Sequence, residues 1–510
     1  MAAGMLGGSG LGQTPLPRDV AAFSVDDPGT PADESGRSMF ESTIAAGDAA
    51  VMAVYHSAPA AGLFEIGYAL ATVDSNGVWT WTEGVINPGQ FANDPNDPVG
   101  LTDPSVAYDL VTGDFLVCAM TRDLTRIVVA RYDAQANPSG FNPWEVVLQS
   151  SGIDKTWIVA GEVFKMVPPP GFAGPIPEIR LQEFYITSDG AAGLKYLRSM
   201  DGGQNWIGGD ALTDLNNSNS GISPVTVPAP RVYNKRPLYV AFVKDLFHVE
   251  FLRGDDVNSG VHAGEVQFTH LIDDGNGQNL SVDFNWSRLA QILPVPPESI
   301  TIGARGPGFD LSPDPTDANR LFFVYHDTPT ADPNDARFLD LNIYLRVLTR
   351  VSGARWSIDP PLNQLGILVA DDSDPLVETD QFLPSMDVDA NGEIHIVYYD
   401  DQDFSQNDSD FCPTACPRFD VVDAVSDTGG ASWQYFELCD DPQNGCASTE
   451  PAVDFRDLEG QEPGSQFALR DYIGIDVRNA RVWTSFMGTS DERDTNPDKS
   501  VIWSTQITLP

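Results

Sequence analysis

The sequence predicts an all-β fold, a seven-bladed β-propeller of four-stranded antiparallel blades, and three observations carry that prediction. A phrase recurs seven times along the 510 residues: an apolar alternating strand, a Gly/Asn/Asp turn, and a second apolar strand ending in a polar cluster. Period-2 alternation bounded by turn residues runs throughout, with no long 3.6-residue period. The last unit stops one strand short, and the apolar stretch VAAFSV, Val20 to Val25, near the other end could supply the missing strand.

In chain order, the copies begin at Glu41 (ESTIAAGDAAVMAVYHS), Asp103 (DPSVAYDLVTGDFLVCAMTRD), Asp154 (DKTWIVAGE with its partner EFYITSD), Ser223, Gly306, Leu383 (LPSMDVDANGEIHIVYYD) and Arg470 (RDYIGIDVRNARVWTSFMG). Each copy reads as strands a and b of a blade. Strands c and d follow: FEIGYALATV and VWTWTEG in the first unit, RIVVARYD and WEVVLQ in the second, LKYLRSM and NWIGG in the third. Residues 1–38, rich in Gly, Pro, Ser and Asp, read as a tail that contributes the closing strand, and residues 39–510 as a single propeller domain. Closing a ring in this way removes exposed sheet edges. Six blades are the alternative, because the third and fourth units are the least regular. Four polar insertions interrupt the pattern, at Val167–Glu178, Asp255–Gly264, Asp273–Asn279 and Asp400–Asp420, and long loops in compact domains are often functional.

Composition excludes several classes of function. The balance of 29 Lys+Arg against 73 Asp+Glu gives a net charge of −44, and only six of the basic residues are Lys. Such a field repels phosphate backbones and anionic lipid, so nucleic-acid binding and membrane insertion are not expected. No apolar run reaches the roughly 18 residues of a spanning helix. The acidity reads either as a solvated surface suited to a salty or extracellular medium or as calcium sites, since hard cations take several carboxylate oxygens. No cofactor is required on this reading; structural calcium, with Asp400, Asp401 and Asp403 in YYDDQD as ligands, is the one candidate.

Of five cysteines, Cys118 lies alone in an apolar strand and reads as a buried small hydrophobe. Cys412, Cys416, Cys439 and Cys446 crowd around one unit. Their spacings, CPTAC and CDDPQNGC, differ from the paired CxxC of zinc ribbons, so two disulfides rank ahead of a zinc site and favour an oxidising, extracellular or cell-surface location. No signal peptide is visible in MAAGMLGGSGLGQTPLPRD.

The hairpin SMDGGQNW, Ser199 to Trp206, resembles the Asp-box of sialidase-like (BNR-repeat) propellers, S-x-D-x-G-x-T-W, with Asn205 in place of Thr. A second copy, SDTGGASW, keeps Ser426, Gly430 and Trp433 but carries Thr428 at the Asp position; TVDSNGVW from Thr72 is a weaker echo. With DKTWI, FLPSMDVDANGEIHIVYYD and RDYIGIDV, the resemblance covers roughly residues 40–508. It implies a propeller of the bacterial secreted type and a structural role for Ser199, Asp201, Gly203 and Trp206: the carboxylate accepts backbone N–H bonds, the glycine permits positive φ, and the indole packs between sheets. Sialidases of this superfamily grip the substrate carboxylate with arginines, the first in an R-I-P phrase opening the first blade. The matching phrase here is FESTIA, with Glu41, which repels a carboxylate. A conventional sialidase is therefore not expected.

In a propeller the starts of strands a and the ends of strands b share one face around the central channel. Those positions name the candidates. Glu41, Lys155, Arg122, Arg305 and Arg470 read as ligand contacts. Asp327 and Asp400, or His326 and Tyr472, read as acid/base pairs. Asp103, Asp154, Gln381, Asp471, His56, Asp245 and Asp401 complete the ring, with Tyr398, Tyr399 and Tyr472 as aromatic faces for a sugar. Against each stands a structural reading, in which His56 and His326 finish their strands and the arginines pair with neighbouring acids. No Ser-His-Asp order, HExxH, P-loop or EF-hand is present. The function expected is a surface propeller that binds carbohydrate or cell-surface glycan without sialidase activity; the alternatives are a glycan-active hydrolase or lyase at the channel mouth, and a structural subunit that contacts other protein subunits.

Overall fold

The computed structural model describes residues 20–24, 37–59, 65–75, 77, 79–86, 100–134, 140–165, 180–189, 194–210, 229–232, 238–245, 248–256, 266–285, 308–330, 332, 341–370, 381–401, 418–438, 453–454, 473–479, 481–489 and 500–508. The described elements are all strands, and they build a β-propeller of mainly four-stranded antiparallel sheets.

Named I to VII in order of their inner strands, the sheets start with Arg37–Ala46, Leu101–Tyr108, Asp154–Lys165, Ala229–Val232, Phe309–Pro313, Gln381–Val388 and Gly474–Arg478. In each, the next strands in sequence add outward by hairpins, as Ala50–Pro59, Glu65–Val73 and Trp79–Ile86 do in sheet I. Sheet VII is composite: Gly474–Arg478, Arg481–Thr489 and Ser500–Thr508 are joined on the outside by Val20–Ser24, which pairs antiparallel with Ser500–Thr508. Each inner strand packs beside that of the following sheet, and the inner strand of VII packs beside that of I.

Period-2 alternation explains how the sheets stack. In Phe115–Thr121, the second strand of sheet II, every residue is buried. Phe115, Val117 and Ala119 join a core shared with Met52, Val54 and Ile66 of sheet I, whereas Leu116, Cys118 and Met120 join one shared with Ile158, Phe184 and Ile186 of sheet III. The same split recurs in sheet V, where Leu321, Phe323 and Tyr325 face sheet IV and Phe322 and Val324 face sheet VI. A strand covered on both faces must be apolar at consecutive positions, hence the unbroken runs FLVCAM and LFFVY. Each such large side chain contributes about 1.5–3 kcal/mol of burial. Sheets VII and I meet through aromatics: Trp483 packs edge-on against Trp79 at 4.7 Å.

Two features depart from the regular plan read in the sequence. The polar stretch Asp273–Asn279, expected as an insertion, is a compact turn: Asp273 N–H donates to Gln278 O and Gly277 N–H to Asp273 O. The short strand before it, Ile272–Asp273, adds in parallel to Arg355–Asp359 of sheet V, so a segment that leaves sheet IV finishes the edge of its neighbour. Arg355 and Asp274 pair across this junction at 3.3 Å.

The second departure is a repeated bulge. Register shifts interrupt the inner hairpins between Phe40 and Thr43, Thr102 and Ser105, Asp154 and Trp157, and Phe382 and Ser385. Within three of these, Asp103, Lys155 and Leu383 adopt positive φ near 50°, a conformation that costs a non-glycine residue about 1 kcal/mol or more. Pro104 and Pro384, which cannot donate to a ladder, sit at two of the bulges, where a missing N–H is tolerated.

Side chains of one inner strand accept backbone N–H groups of the next. Ser105 Oγ accepts from Ile158 N at 3.2 Å, Asp310 Oδ2 from Met386 N at 3.0 Å, Asp387 Oδ2 from Val477 N at 2.8 Å and Asp476 Oδ2 from Ala46 N at 2.9 Å. The inner strand is an open edge, and these contacts satisfy amides that have no ladder partner. Hydrogen bonds to charged groups are worth ~1.5–3 kcal/mol. Asp476→Ala is therefore expected to lower unfolding stability by about that amount, with Asp476→Asn recovering part of it because an amide oxygen still accepts; urea denaturation of the three proteins checks this.

Candidate functional site

The described candidates at the strand-a starts and strand-b ends are largely embedded in the scaffold. His326 is fully buried between sheets V and VI. Its Nε2 lies 3.2 Å from Gly308 N and its Nδ1 3.1 Å from Leu383 N. Burial pushes its pKa down to about 3, so it is neutral and a very weak base. Asp327 is also buried: its two oxygens accept from Asn285 N at 3.0 Å and Thr328 N at 2.9 Å. Asp400 accepts a bond from Gln381 Nε2 at 3.1 Å, across the first rung of sheet VI. Lys155 and Asp103 are buried at their bulges, and Arg122 is exposed at the end of its strand. Tyr398 and Tyr399 offer no face to a sugar. Both are buried, Tyr398 in the core between sheets V and VI and Tyr399 stacked on Phe382 at 5.7 Å.

Several candidates lie outside the described residues: Arg305, Arg470, Asp471, Tyr472, Asp403 and the four clustered cysteines Cys412, Cys416, Cys439 and Cys446. The side chains of Glu41, Asp154, Asp245 and Asp401 lie outside them too, although their backbones belong to strands. Cys118 is buried and carries a free thiol whose pKa burial raises. Among the described residues no group of three or more His, Cys, Asp or Glu is arranged to hold a metal ion, and no helix is long and apolar enough to cross a membrane.

The turn Ser199–Trp206 joins the third and outer strands of sheet III. Asp201 Oδ1 accepts from Gln204 N at 3.1 Å and Asn205 N at 2.9 Å, and Asn205 Nδ2 donates to Oδ2 at 2.7 Å. Ser199 Oγ accepts from Gly203 N at 2.8 Å, and Trp206 Nε1 donates to Gly203 O at 3.1 Å. Burial alone would raise the Asp201 pKa, but bonds from Asn205, Ser199 and Gln204 outweigh it and hold the carboxyl below its usual value. Trp206 packs on the core shared with sheet II, and a Cβ on Gly203, at φ 83°, would fall 2.3 Å from Leu116 of that sheet. The turn Ser426–Trp433 has the same form with a hydroxyl for the carboxylate: Ser426 Oγ accepts from Gly430 N at 2.8 Å and Thr428 Oγ1 from Ser432 N at 2.9 Å. Both turns hold a sheet to the one before it.

The inner strands enclose a cavity of about 640 Å³. It extends from the residues just after the bulges, Thr43, Ser105, Trp157 and Ser385, to the inner-hairpin turns, where Leu110 and Pro315 line it and Leu110 is 48% exposed. Near that end Arg478 lies over the Tyr108 ring at 5.3 Å, donates to Ala46 O at 3.0 Å and approaches Asp48 at 3.4 Å. This mouth is at the opposite end of the strands from His326 and Asp400. The polar residues along the cavity were not singled out from the sequence, although the register supplies a signal: Thr43, Ser105, Trp157 and Ser385 are each the first residue paired after the bulge, and only the third is aromatic.

No family model and no curated protein matches the chain. Among solved structures, it is similar to the polysaccharide lyase Uly1 (TM-score 0.43, 8% identity, covering 92% of this chain and 90% of that one). A leech intramolecular trans-sialidase (0.39, 9%, 71% and 65%) and an α-L-arabinanase from Penicillium chrysogenum (0.35, 10%, 79% and 92%) are also similar. The chain thus spans just under two thirds of the leech enzyme. At these identities the likenesses reach no further than strand arrangement.

One buried charge stands apart from the candidates. His395, fully buried in sheet VI, lies 3.2 Å from Asp423 Oδ2 through Nδ1 and 3.1 Å from Glu393 Oε1 through Nε2. Burial alone would lower its pKa, but the two carboxylates raise it to about 9. A pKa raised on folding contributes stability that is complete below about 6.5 and is lost as pH rises through about 9. At ~1.36 kcal/mol per pH unit this is about 3 kcal/mol. Unfolding stability measured from pH 6 to 10 is expected to fall across that window, and His395→Gln is expected to be less stable at pH 6 and to lose this part of the slope.

Proposed function

We propose that the protein is a carbohydrate-binding propeller without catalytic activity, acting outside the cell or at its surface. The observation that carries the non-catalytic part is the commitment of His326 and Asp327: the imidazole is buried between two backbone amides and both carboxylate oxygens accept backbone N–H bonds, so neither is available to move a proton on a substrate. The carbohydrate part is supported by the resemblance of the Ser199–Trp206 and Ser426–Trp433 turns to the Asp-box of sialidase-like propellers, which fits the bonds made by Asp201 and Thr428. On this reading the seven sheets are seven blades of one domain, residues 39–510, and Val20–Ser24 closes the ring. Glu41 opens the first blade where a sialidase carries arginine. The clustered cysteines form two disulfides suited to an oxidising medium.

A glycan array, with and without calcium, tests the reading beside a turnover assay on a polysaccharide panel. Binding to at least one glycan is expected, with no product formed, and Asp327→Asn is expected to lower thermal stability without creating or removing activity. Hydrolysis or elimination on any polysaccharide, abolished by Asp327→Asn or Asp400→Asn, would sink the non-catalytic assignment.

A further inference from the structure

The geometry points to a binding site for a neutral saccharide residue inside the central cavity, entered from the mouth formed by the inner-hairpin turns, with Trp157 as its stacking platform. The inference rests on the carbohydrate-binding reading above and places the ligand at the end of the channel remote from the positions where the repeat suggested a site.

Four observations converge. The cavity, at about 640 Å³, lies within the ~300–1,000 Å³ typical of small-molecule sites. At the position where sheets I, II and VI carry a small hydroxyl residue (Thr43, Ser105, Ser385), sheet III carries Trp157, which lines the cavity and is only partly buried. The hydroxyls of Ser105 and Ser385 are used in contacts to the next or preceding inner strand, whereas sheet III places a bulky ring there. A large aromatic side chain left partly uncovered inside a cavity gives an apolar face to a ring whose own faces carry C–H groups.

Polar groups lie within the same walls. The Thr43 hydroxyl is buried and has no hydrogen-bond partner among the described residues, although Thr43 lines the cavity. A buried hydroxyl left in this way is destabilising unless a ligand or water satisfies it. Among the described residues the cavity also collects charge of one dominant sign: Asp387 and Asp476 line it together with one cation, Arg478, which is itself near Asp48. An anionic sugar would face two carboxylates at short range, and a neutral one would not. The polar and apolar surfaces together thus select a hydroxylated, uncharged ring.

Access is set by Leu110. It is half exposed at the turn between the first two strands of sheet II and also lines the cavity, so a larger residue there narrows the mouth. Leu124, exposed at the other end of the same sheet, provides a matched control.

The test is saturation-transfer NMR and calorimetry with glucose, galactose, mannose, xylose and their disaccharides, beside sialic acid and galacturonate. At least one neutral sugar is expected to bind, with the acidic sugars weaker. Trp157→Ala is expected to weaken binding about tenfold, and Trp157→Phe by less. Leu110→Trp is expected to weaken it as well, whereas Leu124→Trp leaves it unchanged. Melting curves accompany each variant, and Leu110→Trp, at an exposed turn, decides the matter if Trp157→Ala does not fold. Neutral-sugar binding that survives both Trp157→Ala and Leu110→Trp would overturn the cavity site and leave the carbohydrate reading standing. Preference for the acidic sugars would overturn the charge argument, and absence of binding to every sugar here and on the glycan array would overturn both readings.

Discussion

A bond from a side chain on one inner strand to a backbone amide on the next is the contact on which the rest of the fold relies. An inner strand has a hydrogen-bonded partner on only one side, and its other edge faces the channel, where neighbouring inner strands splay apart and no ladder can form. Asp310, Asp387 and Asp476 bridge that gap by reaching from one sheet to the N–H of the following one. Apolar packing holds the sheets face to face but is non-directional, and permits sliding. The carboxylate contacts supply direction and fix which residue of one sheet stands beside which residue of the next.

Contacts of this kind also explain why, among the described residues, acids at the repeat positions that suggested chemistry are engaged within the scaffold, as Asp327 and Asp400 are. Acidic residues in the repeat can stand at the channel mouth or at the joints between sheets. Asp327, Asp310 and His326 belong to the second. The turns show the economy at a smaller scale. Asp314, Asp389 and Asp109 each cap their own hairpin by accepting two or more backbone N–H groups. In two of these hairpins an arginine closes the arrangement, Arg320 on Asp314 and Arg131 on Asp114.

Much of the strand plan was legible in the sequence because alternation and turn chemistry are local. The c and d strands of the first three units, the Val20–Ser24 strand and the hairpin at Asp389–Glu393 are all written within a few residues. The site was less legible, since its composition depends on neighbours across sheets. Nothing near His326 in the chain announces that Leu383 will place an amide against it, and nothing near Asp327 announces Asn285. The bulges also escape local reading: Asp103, Lys155 and Leu383 share no residue type, and their common φ is imposed by the inner-strand geometry rather than by side-chain preference. Thr428 teaches the complementary lesson. It departs from the Asp of the related turn, yet its hydroxyl accepts the corresponding amide, because the turn requires an acceptor at that place and not a charge.

Sheet VII joins residues 20–24 to residues 500–508, and its inner strand is pinned to sheet I through Asp476 and Ala46. A sheet assembled from such distant segments has the highest contact order in the molecule, and its loop-closure entropy must be met before any of its contacts form. During vectorial synthesis sheets I to VI can complete in turn, while sheet I waits with one face uncovered. The seam between VII and I is thus the last to form and, by the same reasoning, the place where a partly unfolded chain would expose Trp79, Trp81 and Trp483 together.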